Sequence, residues 1–371
     1  MFAPSTAEIK LAPLSSLASH TVPVFSVVAA ELPHVCMYEN VHEYNPQFAA
    51  HLLHDIYIPR TVNFAPVALA TLPPGTVVHG DFQFLTTIGD VFLREQFHAD
   101  WHPPQVPQVL SSTTPVVEIG GDVLLLARFG AVTWGHWLGE LVPRALAAEL
   151  VAPGKYRFAV PAEFKTRGGF ANFLGALAAY GIGEDRLIWL DDKHRYAFSS
   201  LATVSSMWVY PYAVHPACLS LLRTALRVKV PKPPLGAKAA AMLRSETYGR
   251  HISNQDEILS LLKIYGFSAF GIGQLPFIEQ VALFRAADSV FGVLGSNLTG
   301  LIYSPFGVKM ISVAAADWGD CFFHGLMQAQ EGKYADLRGT PAPGSTDMMT
   351  APFTLSIGRL TAALNAVGHL S

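Results

Sequence analysis

Phe291-Gly292-Val293-Leu294-Gly295-Ser296-Asn297-Leu298-Thr299-Gly300 is the stretch on which the fold turns. A short apolar run reads as a buried strand. The Gly295-Ser296-Asn297 turn then hands the chain to a short helix that Ser296 or Asn297 can cap. Gly292 and Gly295 let a ligand come close to the backbone. Amides at the start of such a helix, together with its dipole, make an anion site suited to a diphosphate. An ordinary strand-to-helix turn has the same appearance, so the stretch speaks for architecture before chemistry.

Outward from it, strands and helices alternate. Upstream, Ala237 to Leu243 reads as a buried strand, and Asn254 with Glu257 as a capping box opening the helix Gln255 to Tyr265, which Gly266 stops. Phe267 to Phe270 is a strand, and a helix beginning at Pro276 runs to about Ala287. Ser289 to Leu294 and Val308 to Val313 complete the series, with a last helix over about Leu355 to Val367. A similar alternation begins at Gly120: strand Val123 to Ala127, helix Trp134 to Leu150, strand Tyr156 to Val160, helix Phe170 to Tyr180, strand Arg186 to Leu190. Such alternation predicts parallel sheets. Residues 1 to about 115 read instead as short strands, with a hairpin at Gly80 to Leu93 around Gly89-Asp90. Val230 to Gly236, carrying Pro231, Pro233 and Pro234, is the linker candidate. The fold class expected is α/β, two Rossmann-like domains facing a cleft, with a β-rich N-terminal region.

Composition narrows the function. The 371 residues are enough for two domains, and 51% are apolar against 14% charged. A formal charge of -3 argues against a nucleic-acid partner. Cys36, Cys218 and Cys321 are too scattered for a disulfide framework or a structural zinc site. The N-terminus does not read as a signal peptide, and Pro13, His20 and Pro23 break the apolar segment Leu11 to Leu32. A cytoplasmic protein is expected, with peripheral association at the inner face of the membrane left open. No phosphate-loop, G-x-G-x-x-G, H-E-x-x-H, G-x-S-x-G or D-x-D motif occurs, so no metal site is expected.

Two further constellations carry chemistry. In Thr133-Trp134-Gly135-His136-Trp137-Leu138-Gly139-Glu140-Leu141-Val142-Pro143-Arg144, a helix would put His136, Glu140 and Arg144 on one face. A histidine backed by a carboxylate can take a proton from a hydroxyl. The same spacing also makes a solvated ion-pair ladder, but Trp134 and Trp137 favour a sugar site, because aromatic faces pack against pyranose rings. Pro143 clashes with the Gly139 carbonyl and predicts a local kink. Arg244 lies at the end of the first strand of the second half, with Arg250 in the loop after it. Guanidinium groups suit phosphate oxygens, although two solvated loop arginines would look alike.

Taken in order, these segments resemble glycosyltransferase family 61. Gly135-His136-Trp137-Leu138 with Glu140 to Arg144 is similar to its His-aromatic-Leu…Glu…Pro-Arg segment. Arg244, Arg250, Ile252, Asn254 and Glu257 are similar to its R…R-x-I-x-N-x-x-E run. Gly266-Phe267, Phe277, Glu279-Gln280, Phe284 and Ala286-Ala287 match a third run, and Gly292 to Tyr303 a fourth, in which Leu294 stands where the family carries histidine. The resemblance implies a two-Rossmann (GT-B) glycosyltransferase. Residues 1–230 would form the acceptor-side domain, 236–350 the nucleotide-sugar domain, and 351–371 a helix packing back on the first. It implies inversion at the sugar, with His136 as base oriented by Glu140. Arg244, Arg250, Gly295, Ser296, Asn297 and Thr299 would bind the donor, and Trp134, Trp137 and Arg144 would sit on the acceptor side. No cofactor is implied beyond the nucleotide-sugar co-substrate, expected to be UDP-linked. The acceptor is a saccharide or lipid-linked saccharide, in capsular or extracellular polysaccharide synthesis. A catalytically weak nucleotide-sugar-binding subunit, or a scaffold subunit, is the alternative.

Overall fold

The computed structural model describes residues 10–26, 28–32, 36–39, 60–93, 106–209, 213–244, 249–316, 318, 322–344 and 350–368. The protein is a mixed α/β molecule with two mixed sheets. The chain forms two compact units. The first comprises Met1–Val28, Ala65–Tyr210 and Thr224–Arg227, and the second Ala29–Phe64, Pro211–Arg223 and Val228–Ser371.

In the first unit, the strands Arg195–Val204, Val116–Leu125, Arg157–Pro161 and Leu187–Leu190 lie side by side and parallel. Val123, Leu124 and Leu125 are buried, as expected of a parallel strand covered on both faces. The sheet becomes mixed where Val67–Thr71 and Thr76–His79 pair antiparallel with Arg195–Val204. The expected hairpin is present as Leu85–Ile88 against Val91–Leu93. The strand read as Val123 to Ala127 starts earlier, at Val116, and runs through Gly120-Gly121 with a register shift between Ile119 and Asp122. Paired glycines within a strand mark such an irregularity.

The following helix carries the predicted disturbance in a specific form. Trp134–His136 is α-helical, Trp137–Leu141 is a π-helical turn, and Val142–Val151 returns to α. Pro143 has no N–H for the Gly139 carbonyl. The indole Nε1 of Trp208 donates to that carbonyl at 2.6 Å instead. The wider turn is therefore stabilised by a tertiary hydrogen bond.

The second sheet runs Ser268–Ala269, Ala239–Met242, Ser289–Val293, Lys309–Ala315, Lys333–Pro341, Phe353–Thr354, with Cys36–Glu39 also paired to Lys333–Pro341. All pairs are parallel except the one made by Phe353–Thr354. An N-terminal strand thus completes the C-terminal sheet, and residues 1–230 are not one continuous structural block. The helix Pro216–Thr224 also belongs largely to the second unit: Arg223 Nε donates to the Ile302 carbonyl at 2.7 Å, and its Nη2 to Gln330 Oε1 at 2.7 Å.

Asn254 precedes the helix Gln255–Ile264, but its side chain does not cap it. Its amide instead exchanges two hydrogen bonds of 3.0 Å with the backbone of Leu355, tying the helix start to the C-terminal segment. The C-terminal helix Ile357–Ala366 buries Leu360, Ala363 and Leu364 in the core formed by Ile258, Phe291, Ile311, Leu337 and Phe353. The packing observed for this helix is therefore within the second unit, where a return to the first had been expected. Its apolar stripe completes a core that the sheet alone leaves uncovered on that face.

Candidate active site

The first cluster is built where the strand Val116–Leu125 ends and the π-containing helix begins. Arg128 follows the strand, and His136 and Glu140 lie on the helix one turn apart. His136 Nδ1 is 2.5 Å from Glu140 Oε1. The other carboxylate oxygen, Oε2, accepts from Arg128 Nη2, which also lies 3.3 Å from His136 Nδ1. Arg128 and Glu140 side chains are buried, and His136 is 23% exposed. Burial by itself would raise the Glu140 carboxyl; the Arg128 guanidinium, the His136 hydrogen bond and charge, and Arg144 outweigh it and hold the carboxyl far below the usual range. An ionised Glu140 accepts a hydrogen bond from Nδ1–H, fixing the tautomer in which Nε2 carries the lone pair. That face of the ring lies beside Gly130, where φ is +73° and a Cβ would sit 3.4 Å from the imidazole Cδ2. The arrangement can take a proton from a hydroxyl and hold the resulting imidazolium.

The other expected acceptor-side residues separate. Trp134 is half-buried, edge-on to Phe173 at 5.4 Å. Trp137 is 1% exposed, packed edge-on to Phe164 and Phe173, so it offers no face to a sugar. Arg144 is also buried, lining a small internal cavity with Arg128, Leu125, Leu141 and Thr203, and acts on Glu140 through its charge. The aromatic pair was read as one surface, but the helix turns Trp137 into the core.

The second cluster lies in the second unit, at the carboxyl ends of two neighbouring parallel strands. Met242 pairs with Gly292, so the residues that follow, Arg244 on one strand and Gly295 on the other, emerge at the same sheet edge. Arg244, Arg250, Gly295, Ser296 and Asn297 line a cavity of about 100 Å³ with Met242, Val293 and Leu298. A Cβ at Gly295 would meet Arg244 Nη1 at 3.0 Å, a tight contact, and Arg250 Nη2 at 3.7 Å, so both guanidinium groups lie close against the turn. Burial lowers the Arg244 guanidinium below its ordinary value. Arg250 adopts a left-handed φ of +52°, anchored by its N–H to the Thr350 carbonyl at 2.8 Å.

The turn differs from the expected one in detail. Ser296–Tyr303 is a 3-10 helix whose N-cap position is Gly295, and neither Ser296 nor Asn297 provides a side-chain cap. Thr299, expected at the donor, is fully buried and does not line the cavity, because the helix runs into the core from Leu298 onward. Leu294 is likewise fully buried, its N–H bonded to the Val313 carbonyl. One residue of the clusters escaped the sequence reading: Arg128 had only its place at the end of a strand to announce it. Trp318, whose ring lies 4.3 Å under the Arg250 guanidinium, belongs to Asp317-Trp318-Gly319-Asp320, a loop that the sequence suggests could touch donor or acceptor hydroxyls, but its stacking on Arg250 was not foreseen. Among the described residues, no group of three or more histidine, cysteine, aspartate or glutamate side chains could hold a metal ion. Nor is any described helix long and apolar enough to cross a membrane.

The family described as Glycosyltransferase 61 matches residues 134–311. The chain carries a glycosyltransferase 61 domain. That domain begins at the helix bearing His136 and Glu140 and takes in Arg244, Arg250 and the Gly295-Ser296-Asn297 turn. Arg128 and Trp318 lie outside it. Over 83 residues the sequence is 32% identical to an EGF domain-specific O-linked N-acetylglucosamine transferase of Drosophila melanogaster, covering 21% of this chain and 16% of the relative. The chain thus spans about a sixth of that relative's length. A solved structure, the bacterial iron-containing dodecameric glycosyltransferase TibC from enterotoxigenic E. coli H10407, aligns with 69% of this chain and 79% of its own at 12% identity, with a TM-score of 0.31. A likeness of that size carries no argument about the glycosyltransferase 61 domain.

Proposed function

We propose that the protein transfers a sugar from a nucleotide-sugar donor to a hydroxyl of a saccharide or lipid-linked saccharide acceptor, with inversion. The observation that carries this reading is the convergence of Arg244 and Arg250 on the Gly295-Ser296-Asn297 turn, inside the stretch matched by the glycosyltransferase 61 family. Two guanidinium groups at a strand-end turn suit a diphosphate, whose charge grows as the glycosidic bond breaks. On the acceptor side, His136 Nε2 takes the proton of the attacking hydroxyl while Glu140 holds Nδ1–H. The acceptor oxygen forms a bond to the anomeric carbon from the face opposite the leaving nucleoside diphosphate. The bond from that carbon to the phosphate oxygen breaks, and the electron pair leaves with the diphosphate. Arg128 holds the second oxygen of Glu140, so the carboxylate stays oriented toward the ring.

A GT-B arrangement, a UDP-linked donor, a capsular or extracellular polysaccharide product and a cytoplasmic, membrane-peripheral setting follow from the family resemblance. The relative is an N-acetylglucosamine transferase, which together with the expected UDP-linked donor makes UDP-N-acetylglucosamine the first donor to try. The protein is incubated with a panel of nucleotide sugars and saccharide acceptors, and nucleotide release is measured. Acceptor-dependent release from one donor is the expected result; no release from any donor ends the reading. The second reading, a binding subunit without turnover, is favoured only by the apolar Leu294 in the donor segment. Nucleotide binding without release would select it.

A further inference from the structure

We propose that Trp318 is a positioning residue that fixes the Arg250 guanidinium at the diphosphate site, and that a buried ion pair holds Trp318 in place. The inference rests on the donor-site reading above and adds the device that preorganises it.

Arg250 comes from a loop, and a long side chain there loses rotamer freedom when it binds an anion. Stacked on the Trp318 ring, its guanidinium has surrendered that freedom beforehand. Stacking uses the flat face of the guanidinium, whereas phosphate recognition uses its in-plane N–H edge, so the two contacts are compatible. The edge is directed at the turn, with Nη2 3.7 Å from where a Cβ on Gly295 would lie.

What holds Trp318 is unusual for a loop. Its backbone carbonyl accepts from Arg338 Nη1, and Arg338 Nη2 donates to Asp336 Oδ2 at 2.7 Å. Both side chains of this pair are fully buried. Ser312 Oγ donates to Asp336 Oδ1 at 3.3 Å and shares a 2.7 Å hydrogen bond with the Tyr334 hydroxyl. Tyr334, Asp336 and Arg338 alternate along Lys333–Pro341 and so share one face of the strand, and Ser312 is the register partner of Asp336. A buried ion pair is rarely better than apolar packing for stability alone. Here the network ends on the carbonyl of the residue that stacks on Arg250. Trp318, Asp336 and Arg338 all lie beyond residue 311, where the family match ends.

The test is a double-mutant cycle on the full chain, titrated with inorganic pyrophosphate by calorimetry. Trp318→Leu should weaken pyrophosphate binding about fivefold, the size of a partly desolvated cation–π contact. Trp318→Phe, which keeps an aromatic face, should restore most of the affinity. In an Arg250→Ala background, Trp318→Leu should cause no further loss, because its effect acts through Arg250. If Trp318→Leu weakens binding equally in both backgrounds, or leaves it unchanged in the wild type, the positioning role is overturned while the donor site stands. If the wild type binds no pyrophosphate, the donor-site reading itself fails and takes this inference with it.

Discussion

In the first unit, Arg128 and Glu140 side chains are 4% and 6% exposed and bonded to each other, with His136 closing the cluster. In the second, Arg244 and Arg250 converge on a cavity that no acidic residue lines among the described residues. Both clusters use arginine at the end of a parallel strand. The first balances charge internally, which leaves a histidine with a fixed tautomer. The second presents positive charge to whatever enters the cavity. An arginine in the first cluster should therefore matter to stability, and one in the second to binding.

The sharpest break between them is catalytic. His136→Ala should lower turnover by about 10²–10⁴-fold, the usual contribution of a positioned base, while leaving uridine diphosphate affinity as in the wild type. Steady-state rates and a calorimetric titration measure the two separately. If His136→Ala loses nucleotide binding and Arg244→Ala keeps it, the two clusters have been assigned the wrong way round.

Next in size is Arg128→Met, which leaves Glu140 buried without its guanidinium partner. Denaturant unfolding should show a loss of about 3–5 kcal/mol. Adding Glu140→Gln should recover part of it, since the stranded charge is then gone. A loss below about 1 kcal/mol would place Arg128 among surface ion pairs despite its burial. Arg244→Ala should do the reverse: little change in unfolding, and nucleotide affinity weaker by about tenfold or more, since a charge-assisted hydrogen bond contributes about 1.5–3 kcal/mol.

The last expected effect is on pH dependence. Burial lowers the His79 pKa to about 4, with Asp81 opposing and Arg195 adding to the shift. Between pH 6.5 and about 4 the unfolded chain binds a proton there that the folded chain does not, so acidification through this window destabilises the fold. Glu140 acts in the same direction over a lower window: its folded pKa is depressed, so its contribution is complete above the ordinary carboxylate range, about 4.3, and is lost as pH falls below it. Thermal unfolding from pH 7 to 4.5 should show a shallower decline in His79→Gln than in the wild type, and an unchanged slope in Glu140→Gln. Equal slopes for His79→Gln and wild type would mean that His79 protonates in the folded state as it does in the unfolded one.

Much of the second cluster was legible because its parts are local. An apolar run followed by Gly295-Ser296-Asn297 specifies a strand end, and parallel alternation puts Arg244 on the same edge. The first cluster was only half legible. His136 and Glu140 follow from helical spacing, but Arg128 reaches them from a different element. Trp137 misleads for the same reason that the spacing informs: its neighbour His136 keeps some exposure, yet one residue further round the helix the side chain meets Phe164 and Phe173.

By itself the sequence determined the alternation of strands and helices, the strand-end turn, the His136–Glu140 spacing and the disturbance at Pro143. All of these follow from steric and hydrogen-bonding rules acting over a few neighbouring residues. Only the tertiary structure decided that the disturbance becomes a π turn whose Gly139 carbonyl accepts from Trp208, 69 positions away. It also placed Cys36–Glu39 on the edge of the second sheet, Arg128 against Glu140 and Trp318 under Arg250. A strand edge, a buried carboxylate and an arginine face each accept any partner of the right chemistry. Which residue fills the role depends on where the folded chain brings one within reach.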